Sequence, residues 1–78
     1  MFPYEEVLEA NGVKGKTLSN IRNLYGVFRY ERIFGRTDIM NVLGITSSPA
    51  SALISRMKNA KIIEPVKGLG KGRYRFVP

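Results

Sequence analysis

From Arg36 to Phe76 the chain runs RTDIMNVLGITSSPASALISRMKNAKIIEPVKGLGKGRYRF. Thr37 suits the N-cap of a helix and Asp38 its first turn, while Ile39, Val42 and Leu43 recur toward a core. Gly44 supplies a left-handed stop, and Ile45 is placed to plug the corner that follows. Ser47 or Ser48 caps the next helix, with Pro49 in its first turn, where a missing N–H costs nothing. That helix is expected to run to about Ala60. The connection Leu43-Gly44-Ile45-Thr46 is short and contains Gly, as a turn between two packed helices requires. Ile62-Ile63 and Val66 then read as a strand. Lys67 to Gly72 carries glycine at every second position, which suits a hairpin tip. Arg73 to Val77 alternates, with Tyr74 and Phe76 on one face and Arg73 and Arg75 on the other.

Upstream, Pro3 to Ala10 reads as a short helix: Pro3 suits a first turn, Glu5 and Glu6 complement the dipole, and Asn11-Gly12 is a stop. Its apolar positions Tyr4, Val7 and Leu8 form a narrow stripe. Val13 to Lys16 reads as a loop. Thr17 or Ser19 caps a longer helix extending to about Tyr30, whose buried face is Leu18, Ile21, Leu24, Tyr25 and Phe28. Gly26 inside it implies a close neighbour crossing there. Ile33-Phe34 is a very short extended piece. The expected fold is α+β: residues 17–78 form a winged helix-turn-helix, with a three-helix core and a small antiparallel β wing. Residues 1–16 add an N-terminal helix and loop.

Composition narrows the functions open to this chain. Seventy-eight residues, 44% of them hydrophobic, allow one small core. Cys is absent, which excludes disulfides and thiolate metal sites, and the absence of His removes the usual neutral-pH general base. No apolar run approaches the roughly 18 to 20 residues of a membrane span. The first ten residues hold three Glu and no basic residue, unlike a secretory signal, so a cytoplasmic protein is expected. Glu5, Glu6 and Glu9 are explained by a helical N-terminus without catalysis. The 67–72 glycines lack a following helix and cannot form a P-loop or dinucleotide cradle. The chain carries a formal charge of +7, and from Lys14 onward thirteen Lys/Arg face Glu31, Asp38 and Glu64, a local balance of +10.

From Phe34 to Phe76 the chain resembles the C-terminal winged-helix domain of Fic-family proteins, bacterial AMP-transferring enzymes. The residues that carry the resemblance are Phe34-Gly35-Arg36-Thr37-Asp38-Ile39, Leu43-Gly44-Ile45, Ser48 and Ser51. Ile62-Ile63-Glu64-Pro65-Val66 and the closing Gly70-Lys71-Gly72-Arg73-Tyr74-Arg75-Phe76 complete it. The family's His-Pro-Phe signature and Gly-Asn-Gly-Arg phosphate loop have no counterpart here, so none of its catalytic residues carries over. The resemblance implies an accessory domain of a larger protein.

Two functional readings follow, from different classes. In the first, the domain binds duplex DNA. Arg36, Lys67, Lys71, Arg73 and Arg75 would neutralise phosphate. Ser48, Ser51, Ser55, Arg56 and Asn59 would face the groove from the 48–60 helix. Asn59 is the one amide on that face able to pair with adenine, and serine hydroxyls discriminate weakly. In the second, the domain docks on the catalytic part of a Fic-like enzyme and binds no DNA. The cationic hairpin also has a plain structural explanation, since Lys and Arg keep a sheet edge from pairing with other chains. A homodimer through Tyr4, Val7 and Leu8 is a third reading. No cofactor or metal is expected.

Overall fold

The computed structural model describes Met1–Pro78. Four helices precede a two-stranded sheet: α1 (Glu5–Ala10), α2 (Gly15–Phe28), α3 (Arg36–Leu43), α4 (Ser47–Asn59), β1 (Ile63–Pro65) and β2 (Tyr74–Phe76). This is an α+β arrangement compatible with the expected layout. No helix is long and apolar enough to cross a membrane.

The periodic apolar residues build the core. Leu18, Ile21, Leu24, Tyr25 and Phe28 are all buried along one face of α2, and Ala50, Leu53 and Met57 along one face of α4. α3 packs on both helices. Gly44 takes φ 65° and closes α3, with the Gly44 and Ile45 N–H groups donating to the Met40 carbonyl at 2.8 and 3.2 Å. Ile45 then packs half-buried against the core, as its position implied. β1 and β2 are antiparallel, with Ile63 opposite Phe76, Glu64 opposite Arg75 and Pro65 opposite Tyr74. Val66 N–H donates to the Arg73 carbonyl and Val77 N–H to that of Ile62, both at 2.9 Å, extending the pairing at each end. The short extended piece at Ile33-Phe34 contributes one bridge, Phe34 to Tyr74.

Several expected boundaries and faces shift. α2 starts at Gly15 rather than at a Thr17 or Ser19 cap, because Gly15 turns the chain with φ 65°. It ends at Phe28 rather than Tyr30, where Arg29 leaves the helix at φ 54°. Gly35 and Thr46 occupy the N-cap positions of α3 and α4, displacing Thr37, Ser47 and Ser48 from that role. Val42 is exposed rather than core-facing, and Met40 takes the inward place beside Ile39 and Leu43. Gly26 has no crossing neighbour: a Cβ there would meet nothing within 4 Å.

The N-terminal segment belongs to the same core. One cluster of 17 buried residues includes Tyr4, Leu8 and Val13 together with Phe34, Ile63 and Phe76, and the 16/17 boundary falls inside the first turn of α2. Tyr4 stacks on Phe76 (centroids 5.6 Å, 19°), meets Tyr25 edge-on, and donates its hydroxyl hydrogen to the Val77 carbonyl. The dimer stripe is corrected accordingly: Tyr4 and Leu8 are covered by their own chain, leaving only Val7 exposed.

Two outcomes are expected. Gly26→Ala should raise stability by about 0.5–1 kcal/mol, since an exposed helix interior gains by losing glycine's backbone freedom; thermal melting reads this, and a lower Tm would reveal a steric neighbour. Burial, with the Tyr30 and Tyr25 phenols nearby, pushes the Tyr4 phenol above its ordinary value of 10.0. The unfolded chain therefore releases this proton first, and the Tyr4 contribution, full below pH 10, is lost as pH rises beyond it. Melting between pH 9 and about 11 should show a shallower alkaline decline for Tyr4→Phe than for the parent.

Candidate functional site

Phe34 places the hairpin against the start of α3. Its N–H donates to the Tyr74 carbonyl at 2.9 Å and its carbonyl accepts from Tyr74 N–H at 2.8 Å. Gly35, the next residue, is buried, and a Cβ on it would lie 2.8 Å from the Gly72 carbonyl oxygen and 3.3 Å from Arg73 Nη1. Glycine is required here for close approach, not for its φ of −134°. The Gly35 N–H donates to Asp38 Oδ2 at 2.8 Å, half of a capping box, with no Gly35 side chain to return the bond. The same Asp38 oxygen lies 3.8 Å from Arg73 Nη1, so one carboxylate serves both the helix start and the hairpin. Arg36, at the start of α3, forms no ion pair.

Between this junction and α4 lies an open groove of about 540 Å³. Its cations are Arg36, Lys58, Lys71 and Arg73, and its aliphatic hydroxyls are those of Thr37, Ser51 and Ser55. Ile54 and Tyr74 supply the apolar floor, both half-buried. Of the four cations only Arg73 has a carboxylate within ion-pair distance. None of the three hydroxyls bonds to another group of the chain. The N-terminus of α3 adds its partial positive charge at the groove's edge. A second hollow under the hairpin loop, about 550 Å³, shares Lys58, Lys71 and Tyr74 with the first and brings in Lys67. Lys58 Nζ sits 5.8 Å from the Tyr74 ring centroid, a cation–π contact at the divide between the two hollows. Four cations facing so little negative charge repel one another, and an anion laid along them relieves that repulsion.

The expected ligand-facing residues therefore separate. Arg36, Ser51, Ser55, Lys71 and Arg73 come together in the groove, and Lys67 in the adjoining hollow. Arg75 does not join them: Glu64 stands opposite it in the sheet and accepts from Arg75 Nε at 2.8 Å. Arg56 lines a different hollow, with Thr17 and Asn20 of α2. Ser48 and Asn59 are exposed and line neither part of the basic surface. Lys58 and Tyr74 are additions. The signal for Lys58 was its spacing from Ser51, Ile54 and Ser55, which repeats i, i+3, i+4, i+7 on one helix face. No group of three or more His, Cys, Asp or Glu side chains assembles to hold a metal ion.

Gly35→Ala should push the hairpin off α3, costing about 1–3 kcal/mol as in other overpacked sites. Denaturant unfolding reads the cost, and amide shifts concentrated at Gly72–Tyr74 would locate it; a silent substitution would mean the junction is loose. Comparison with family models, with curated proteins and with solved structures returns no match.

Proposed function

We propose that this chain is a winged helix-turn-helix domain that binds duplex DNA, an accessory domain of a Fic-like protein. In this reading α3 and α4 are the helix-turn-helix and the β1–β2 hairpin is the wing. The observation that carries it is the convergence of Arg36, Lys58, Lys71 and Arg73, from two helices and the hairpin, on one groove with unengaged hydroxyls. A phosphate backbone lying in the groove meets guanidinium, ammonium and hydroxyl donors together, while Ser51 and Ser55 keep that side of α4 low enough for close approach. With no amide in the groove, affinity comes mostly from backbone contacts, and base discrimination is weak.

The protein-docking reading is favoured by one feature, the apolar floor of Ile54 and Tyr74. In that case the groove would take an acidic segment of the larger protein's catalytic domain.

Ionic strength separates the two. With four phosphates neutralised, the log–log slope of duplex affinity against salt should be about −3 to −4. Fluorescence anisotropy with random duplex reads it. Lys71→Glu combined with Arg73→Glu should abolish binding while leaving the fold intact, because the lost Arg73–Asp38 contact is half-exposed and worth at most about 1 kcal/mol. Arg75→Gln should leave the slope unchanged. Duplex binding by the double variant equal to the parent's would remove the groove from the mechanism, and no binding by the parent at low salt would leave the docking reading.

A further inference from the structure

The hairpin loop holds a residue that the fold does not use. Beyond the last paired rung, Val66 N–H to the Arg73 carbonyl, six residues form the apex, Lys67 to Gly72. Leu69 stands in the middle of them and is 53% exposed. Its neighbours Gly68 and Gly70 line the hollow beneath the loop, and Leu69 does not. Single exposed leucines are ordinary on protein surfaces. The setting of this one is not.

Gly68, Gly70 and Gly72 all hold positive φ (86°, 83° and 79°), and a Cβ on any of them would meet nothing within 4 Å. Space is therefore not what excludes side chains from these positions. Their absence leaves Leu69 as the one side chain between Lys67 and Lys71. Lys67 and Lys71 stand two residues to either side of it, both exposed and free of ion pairs. An apolar tip between two cations on a thin loop matches a minor groove about 6 Å wide, walled by phosphates and floored by stacked bases.

We propose that Leu69 is an apolar wedge that enters the minor groove and unstacks a base step, so that this domain bends the duplex it binds. The proposal rests on the DNA reading above and adds what that reading lacks, a source of sequence preference. Lys67 and Lys71 hold the two strands' phosphates while Leu69 inserts between them. The unstacking cost is smallest at pyrimidine–purine steps, so TA and CA/TG steps are preferred although no side chain reads their edges. An anionic lipid surface is the other partner that an apolar tip flanked by lysines fits. The groove beside the loop favours DNA, because Arg36, Arg73 and the Ser51 and Ser55 hydroxyls continue the basic surface inward, away from the apex.

The test uses the full chain and a short duplex with one central TA step, labelled at its ends for energy transfer. A second copy of the duplex carries 2-aminopurine at the step. The parent should raise 2-aminopurine fluorescence several-fold and bring the duplex ends together by a bend of tens of degrees. Leu69→Ala, a change at an exposed site that leaves the Tm alone, should bind with the same salt slope and lose both signals. Moving the step out of the centre or replacing TA by a stiff A-tract should weaken the parent and not the variant. Binding by the parent with the expected salt slope but with neither signal overturns the wedge and leaves the DNA reading standing. Retention of both signals in Leu69→Ala does the same. A parent that binds no duplex removes both together, and Leu69-dependent binding to phosphatidylserine vesicles in that case assigns the apex to a lipid surface.

Discussion

The two backbone hydrogen bonds between Phe34 and Tyr74 tie the helical body to the hairpin at the edge of the basic groove. The Phe34 side chain is fully buried, stacked on Phe28 at 4.6 Å and tilted against Phe76 at 5.3 Å, so it belongs to the helical core and to the sheet at once. The next residue, Gly35, begins α3. The core, the strand pairing and the helix start therefore meet within two residues. That coincidence brings Arg73, near the base of β2, to the same anionic oxygen that accepts from the Gly35 N–H. Without Phe34 in that place, Arg36 and Lys58 would remain on the helices with no hairpin cations opposite them.

Much of the helical architecture was legible because it depends on repeated apolar spacing. Leu18, Ile21, Leu24, Tyr25 and Phe28 specify α2 five times over, so an error at one position would not have changed the reading. Helix ends were less legible because each depends on one or two residues. Thr37 had the chemistry of a cap, but Asp38 bonds back to the Gly35 N–H and sets the start two residues earlier. Gly26 looked like a packing glycine because sequence registers its cost in a helix and not its surroundings. Tyr4 looked available for a partner because the residues that cover it, Tyr25 and Phe76 among them, lie far along the chain.

The candidate site was legible in kind and less so in detail. The cationic hairpin and the serine-bearing helix could both be read from the order of residues. Which of their cations converge depends on register and on the rotation of α4, and neither is a local property. Arg73 and Arg75 alternate identically in sequence, yet Glu64 stands opposite only one of them. Lys58 enters the groove because the hairpin closes over the Ser51–Ser55 side of α4 rather than over the side bearing Arg56.

The contacts that shape the groove also join the most distant parts of the chain. α2, α3 and α4 are stabilised largely by neighbours within a turn or two, whereas Phe34 must find Tyr74, and the Tyr4 hydroxyl must find a carbonyl 73 residues away. Closing such long loops is the slow, entropically costly part of folding. The groove therefore depends on long-range closure, because the helices alone do not bring Arg73 and Lys71 opposite Arg36 and Lys58. Phe34–Tyr74 is a single bridge, and the packing of Phe76 on Tyr4, Tyr25 and Phe34 supplements it in holding the sheet to the helices. The basic groove is, in this chain, a property of the completed tertiary fold and of no single element.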